Sequence, residues 1–296
     1  LVGSQEGTAH LPLAVLNPGD LGLILDPSYP SHRGGLVLAN AQIEKLLITL
    51  ENKWKPDFSL FTKSQLDQIK MMIFGFPHNP TAQVGEQIWL DEIMNTGINH
   101  DFVVAHDNPY VDLALEGQAP SLLKCKNWRE GGIEFFSFSK AWSMGGFRLG
   151  FAIGAEPLIS ALKKVKSIVD FNQSLALQKG AIAALSNGGD WPKKILSEYK
   201  VRRDLTLQAL ARIGWQVPCP SMALYLWMPL PPWALNRGWS DEAFVKSLLN
   251  ETGVALTPGS GFGSGGSGWI RLALVEPVAK LQEGVSRMES WWNANS

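Results

Sequence analysis

Phe135-Phe136-Ser137-Phe138-Ser139-Lys140-Ala141-Trp142-Ser143-Met144-Gly145-Gly146-Phe147-Arg148-Leu149-Gly150 is the stretch on which the fold turns. It is entered through Ile133-Glu134-Phe135-Phe136, a run that suits a buried strand, and left through a second apolar run, Leu149-Gly150-Phe151-Ala152-Ile153. Between them, small hydroxyl residues deliver a lone lysine, Lys140. A glycine pair precedes Arg148, eight residues after the lysine. Lysine is seldom buried without a partner, and desolvation favours its neutral amine. A neutral amine attacks a carbonyl and forms a Schiff base. The plain alternative is a lysine at an exposed strand end with an arginine in a loop. For an isolated Ser-x-Ser-Lys that alternative carries more weight.

Upstream, strands and helices alternate, and each strand runs into a loop rich in polar or ring residues. Leu21–Leu25 reads as a buried strand ending at Asp26-Pro27-Ser28-Tyr29-Pro30. Glu44–Leu50 is a second strand, Lys70–Phe76 a third that runs into Pro77-His78-Asn79-Pro80-Thr81, and Asp101–His106 a fourth that ends at Asp107-Asn108-Pro109-Tyr110. Helices are expected at Thr8–Leu16, His32–Asn40, Ser59–Ile69 (helical or mixed) and Gly85–Asn99. In open α/β sheets, ligands sit at the carboxyl ends of the strands. Tyr29 offers a ring face there, or closes a surface turn. Asn79 donates to a ligand, or makes an Asn-Pro turn. Asp107 pairs with a ligand cation, or caps a helix; an acid ending a buried strand needs a partner. At Gly3-Ser4-Gln5-Glu6-Gly7, free backbone N–H groups suit an anion. Simple capping by Ser4 explains the same residues and is favoured when they are taken alone.

Downstream, helices are expected at Glu156–Val169 and Gln173–Asn187, and Gly188-Gly189-Asp190-Trp191-Pro192 reads as a boundary. A long helix at Lys194–Ile213 follows. Beyond it come a strand at Ala223–Met228, a helix at Asp241–Thr252, a strand at Trp269–Leu274 and a closing helix at Val278–Trp292. The expected division is a large domain over residues 1–190 and a smaller α+β domain over 191–296. The run Gly259–Gly268 lacks the Gly-Lys-Ser/Thr of a phosphate loop and reads as a flexible turn leading to Arg271. No Gly-x-Gly-x-x-Gly joins a first strand to a helix, which argues against a dinucleotide-binding dehydrogenase.

The totals exclude several classes. A net charge of −1 over 296 residues gives no electrostatic case for nucleic acid or an anionic membrane surface. Apolar runs are far too short to span a bilayer. Two distant cysteines, Cys125 and Cys219, make neither a disulfide framework nor a zinc pattern, so free intracellular thiols and a cytoplasmic location are expected. The five histidines show no metal-ligand spacing, and no metal site is expected. Of the twelve tryptophans, several, such as Trp291-Trp292 on the closing helix, are expected to pack, and no function attaches to their number.

Taken in order, Asn79-Pro80-Thr81, Asp107-x-x-Tyr110, Ser137-x-Ser139-Lys140 with Arg148, and Arg271 in Trp269-Ile270-Arg271-Leu272 resemble the motifs of the class I/II aminotransferases. These are fold-type I enzymes dependent on pyridoxal 5′-phosphate (PLP). The resemblance runs from Gly3 to the last helix. Gly3-Ser4-Gln5-Glu6-Gly7 and Lys166–Gln173 look most like the branch holding LL-diaminopimelate, alanine and some aspartate aminotransferases. The resemblance implies an α/β fold with a mostly parallel sheet in a large α/β/α, PLP-binding domain and a smaller C-terminal α+β domain. It implies amino-group exchange between an L-amino acid and a 2-oxo acid through a Schiff base on Lys140, in a homodimer. By the same resemblance, Lys140 is also the acid–base, Asp107 faces the ring nitrogen, and Asn79 and Tyr110 meet the phenolic oxygen. Tyr29 stacks on the ring, and Ser4, Gln5, Ser137, Ser139 and Arg148 hold the phosphate. Arg271, with Asn79 beside it, takes the substrate carboxylate.

Family members carry a substantial segment ahead of the Gly-Ser motif, with early helices, a substrate loop and a tyrosine for the neighbouring subunit's phosphate site. On that pattern the chain is expected to be an N-terminally truncated member. Aspartate-specific members also use a partner arginine downstream of the lysine. Ser167–Leu175 contains none, so dicarboxylate specificity has no support here. Two other readings stay open: a PLP-dependent lyase or synthase of the same fold, and a non-catalytic PLP-binding remnant.

Overall fold

The computed structural model describes every residue except Ala223, so the first residue of the expected strand Ala223–Met228 lies outside the described residues. Six strands build the larger sheet: β1 (Leu21–Asp26), β2 (Gln42–Leu47), β3 (Ile69–Phe74), β4 (Val103–Asp107), β5 (Gly132–Ser137) and β6 (Gly150–Gly154). Their order is β2-β1-β3-β4-β5-β6. The first five run parallel, and β6 returns antiparallel to β5 with Ser137 opposite Gly150.

Helices cover both faces: α1 (Ser4–Val15), α2 (Pro30–Leu38), α3 (Lys63–Leu66), α4 (Gln87–Asn99) and α5 (Glu156–Val169), while α6 (Leu175–Asn187) packs through Ala181 on Phe138 and Leu149. The inner strands β1 and β3 are largely apolar because both of their faces are buried, whereas the edge strand β2 is mostly polar and exposed. Leu23, Leu25, Met72 and Phe74 join Trp89, Leu90 and Ile93 of α4 on one side. Ile24, Met71, Ile73 and Phe135 join Leu11 of α1, Leu36 of α2 and Leu158 of α5 on the other. Burying a side chain the size of Phe135 contributes about 2 kcal/mol. Gly7 makes this contact possible, since a Cβ there would stand 2.4 Å from the Phe135 ring.

One local expectation needs correction. Leu149–Ile153 is not a buried strand: as the antiparallel edge, β6 leaves Phe151 and Ile153 about two-fifths exposed, at 39% and 41%. Of the two readings of Ser59–Ile69, helical or mixed, the structure has the mixed one. The segment splits into a 3-10 turn at Phe58–Leu60 and the short α3, because Thr62 and Gln65 form a reciprocal capping box that starts a new helix. Ile133–Phe136 is the strand expected, and Glu134 within it is fully buried. Its carboxylate accepts from Asn108 Nδ2 (2.6 Å) and Ser121 Oγ (2.7 Å) and faces His106 Nδ1 at 3.3 Å. Burial pushes its pKa up, but His106 and these bonds outweigh that and hold it below the ordinary value.

The smaller unit holds α7 (Trp191–Arg212), β7 (Tyr225–Pro229), α8 (Pro232–Asn236), α9 (Asp241–Thr252), β8 (Thr257–Pro258), β9 (Trp269–Ala273) and α10 (Val278–Asn295). Its sheet is antiparallel, in the order β7-β9-β8. Trp291 and Trp292 are buried with Trp215 and Phe244 in its core, as expected of packing residues. α7 straddles both units. Ile195 and Leu196 pack with Tyr110 and Ala141, while Leu210 lies in the smaller core.

Candidate active site

Four strand ends of the larger sheet open toward one cavity of about 290 Å³, at the small end of the usual range for small-molecule sites. β1 delivers Tyr29, β3 delivers Asn79, β4 ends on Asp107 and leads to Tyr110, and β5 ends on Ser137 and leads to Ser139 and Lys140. The start of α1 contributes Ser4 and Gln5, the turn before β6 contributes Arg148, and β9 contributes Arg271. All eleven residues singled out in the sequence therefore line a single cavity. Lys140 is half-buried at its wall, rather than enclosed between two buried strands.

One end is built for an anion. α1 begins at Ser4, and no side chain caps it, so its first N–H groups and the Ser4 hydroxyl are not consumed by capping. Arg148 lies in the left-handed region at φ 51° and donates Nη1 to the Gly145 carbonyl at 3.1 Å. Its guanidinium packs on Gly3 so closely that a Cβ there would stand 2.6 Å from Nη2. A helix N-terminus, a guanidinium and the hydroxyls of Ser137 and Ser139 make a phosphate-type donor set.

Across the cavity stands Asp107. Its Oδ2 is 3.3 Å from His32 Nε2, while its Oδ1 is buried with no partner among the described residues. An unpaired buried carboxylate oxygen is costly, and here it faces the cavity and suits a cationic N–H. His78 lies alongside. It bonds Thr81 Oγ1 through Nδ1 at 2.8 Å, and burial, with the charge of His32, lowers its pKa to about 3. Tyr29 meets the His32 ring edge-on at 6.0 Å and donates its hydroxyl to Gln5 Oε1 at 3.4 Å. Burial, then the charge of Asp107, raises the Tyr29 pKa.

Arg271 crosses from the smaller sheet. Its guanidinium lies 4.5 Å over the Tyr225 ring and 4.6 Å over Phe262, and Nη1 donates to Asn79 Oδ1 at 2.7 Å. Asn79 Nδ2 donates to the Tyr110 hydroxyl at 3.4 Å, which is 3.1 Å from the Tyr225 hydroxyl. Arg271 Nε is buried and unpartnered, leaving a cationic fork beside the cavity with capacity for a carboxylate. The Tyr110 phenol is raised well above its ordinary pKa by burial and by Tyr225 and Asp107.

Sequence reasoning missed His32 and Tyr225. His32 stands three residues after Tyr29, one turn into a helix that starts at a strand end, and that spacing was a usable signal. Tyr225 had none, because only the packing of β7 on the larger unit brings it to Tyr110.

A family model for aminotransferase class I and II matches residues 1–288. The chain is 36% identical over 292 residues to an LL-diaminopimelate aminotransferase of Dehalococcoides mccartyi, covering 98% of this chain and 74% of that protein. It is also 36% identical over 296 residues to the glutamate-pyruvate aminotransferase AlaC of Escherichia coli, covering 99% and 71%. Among solved structures, substrate-bound BacF of Bacillus subtilis superposes with a TM-score of 0.94 at 29% identity, over 98% of this chain and 73% of that one. A probable N-succinyldiaminopimelate aminotransferase of Thermus thermophilus gives 0.89 at 34% identity, over 98% and 76%. Of the readings left open by the sequence, amino-group transfer between an amino acid and a 2-oxo acid is the one these relatives carry, ahead of the lyase and the remnant. With fold, motif order and relatives in agreement, the chain belongs to the class I and II aminotransferases.

Proposed function

We propose that this chain is a PLP-dependent aminotransferase whose reactive amine is Lys140. One observation carries the reading: Lys140, Asp107, Arg148 and Arg271 line the same cavity of about 290 Å³. The fit to PLP rests on the donor set at Ser4, Ser137, Ser139 and Arg148 for its phosphate, and on the unpartnered Asp107 Oδ1 for its ring nitrogen. When bound, PLP supplies an electron sink for the bond broken at the substrate α-carbon.

The chain's own residues do the rest. Lys140 Nζ would hold PLP at its aldehyde and, as a free amine, would take the substrate α-proton and return it. Asp107 holds a proton on the ring nitrogen, and His32 orients Asp107 through Oδ2. Asn79 and Tyr110 would meet the phenolic oxygen, Gln5 would assist at the phosphate, and Tyr29 would lie against the ring. Arg271 clamps the α-carboxylate as a two-pronged fork, steadied by Asn79.

A domain division between residues 190 and 191 accords with the start of α7 at Trp191 and with the separate core that follows it. A homodimer is supported by exposed apolar side chains beside Arg148 and along α5, the loop after it and α6: Phe147, Ile168, Phe171 and Leu175, the last three at least 70% exposed. A cytoplasmic location accords with two unpaired cysteines. The substrates named for the relatives, glutamate with pyruvate and LL-diaminopimelate, are the first to assay.

The test is reduction of the PLP-loaded protein with borohydride, followed by peptide mapping. The expected label falls on Lys140, and wild-type protein develops a visible band that amino acids bleach. Labelling elsewhere, or a band indifferent to amino acids, overturns the reading.

A further inference from the structure

Asp26, the last residue of β1, is 3% exposed and lies outside the cavity. Its partners come from the other unit. Oδ2 accepts from Ser264 Oγ at 2.6 Å, and Oδ1 accepts from the Gly265 N–H at 3.0 Å. Lys45 Nζ on β2 adds a charge at 3.3 Å. Two residues on, Ser28 N–H donates to the Phe262 carbonyl at 2.8 Å. At the far side of the same run, Asp241 accepts from the N–H groups of Ser260 (2.7 Å) and Gly268 (3.4 Å).

The Gly259–Gly268 run is therefore not a flexible turn. It folds as two 3-10 turns, Gly259–Phe262 and Ser264–Gly266, each tied to a buried carboxylate. Its composition follows from the fit. At Gly263, φ is 125° and a Cβ would stand 2.1 Å from Asp26 Oδ1. The run also carries Phe262, whose ring lies against the Arg271 guanidinium at 4.6 Å.

We infer that Asp26 is a positioning residue: it latches the Gly/Ser strap of the smaller unit to the end of β1, and so holds Phe262 and Arg271 over the cavity. A carboxylate suits this role because it accepts from a hydroxyl and an amide at once, both bonds being strengthened by its charge. Ser28 couples the same strand end to Tyr29, so the latch sets the ring side and the carboxylate side of the cavity together. The inference rests on reading Arg271 as the substrate-carboxylate clamp.

Two measurements test it. The first is hydrogen exchange of residues 259–268 in the cofactor-free full chain, as wild type, Asp26→Asn and Ser264→Ala. Exchange in the strap is expected to rise about tenfold in Asp26→Asn and less in Ser264→Ala, since one charge-assisted bond is worth about a factor of ten. The exposed Ser264 supplies the measurement should Asp26→Asn fail to fold. The second is steady-state kinetics of the loaded enzyme, where KM for the amino donor is expected to rise about tenfold with kcat changed much less. Unaltered strap exchange in both variants overturns the latch. So does a KM that moves in Arg271→Lys but in neither latch variant. A KM unmoved by Arg271→Lys overturns the carboxylate role of Arg271 instead, and the exchange data then decide the latch alone.

Discussion

Arg271 Nη1 donates to Asn79 Oδ1 across 2.7 Å, joining the middle strand of the smaller sheet to the loop after β3. The bond uses one of the five guanidinium donors, and flat contacts with Tyr225 and Phe262 hold the fork in plane. An arginine so oriented presents its remaining donors to a carboxylate at little entropic cost.

Replacing Arg271 with lysine keeps the charge but loses the fork. KM for amino donors and oxo acids is expected to rise about ten- to a hundredfold with kcat less affected, because one of two parallel charge-assisted bonds is lost. Steady-state kinetics over a donor series checks this. A fall confined to kcat would assign Arg271 to the chemistry rather than to binding.

Asp107→Asn separates holding from activating. The amide still meets His32 but no longer stabilises a protonated ring nitrogen. PLP affinity is expected to change little, while single-turnover rates fall roughly a hundredfold or more, as for loss of a positioned proton-holding group. Spectral titration with PLP and stopped-flow bleaching by an amino acid measure the two quantities. Equal losses in both would reduce Asp107 to a binding role.

Tyr225→Phe should lower the Tyr110 pKa. The Tyr110 phenol is held up first by burial and next by Tyr225, so removing the neighbouring hydroxyl relaxes the second cause and leaves the first. Phenolate absorbance during alkaline titration reports it, once the matching Tyr110→Phe titration is subtracted in each background. An unchanged value would mean that the 3.1 Å hydroxyl contact has no electrostatic effect.

His78 predicts an acid-side slope in stability. Its folded pKa of about 3 lies below the ordinary 6.5, so the unfolded chain takes up the proton first as the pH falls. The stabilisation is complete above about pH 6.5 and is lost toward pH 3, at about 1.4 kcal/mol per pH unit. Denaturant melts of wild type and His78→Gln across that window give the difference. The variant is expected to lose this part of the slope, and parallel curves would refute the assignment.

Strand existence was legible because strands buried on both faces must be apolar throughout. β1, β3 and β5 fall within a residue or two of their expected positions. β2 fell two to three residues early, since an edge strand with polar residues has no sharp signal. The direction of β6 was not readable. Leu149–Ile153 is as apolar as a central strand, and pairing alone makes it an antiparallel edge. Glu134 was hidden for the opposite reason: its partners Asn108 and Ser121 are 26 and 13 residues away in sequence.

By itself, the amino-acid order determined which chemical groups the chain owns and how far apart they lie along it. It also placed most of them at the carboxyl ends of strands, because backbone periodicity and loop chemistry are local properties. Lys140 and Arg148 are tied to one turn by eight residues of chain, and no long-range fold is needed to relate them. Tertiary structure alone decided that Arg271 reaches Asn79 across 192 positions, that Tyr225 meets Tyr110, and that Asp26 grips the Gly/Ser strap. Those contacts arise when two separately cored units pack together. Their partners are chosen by shape and by the need to satisfy buried polar groups, which no local pattern records.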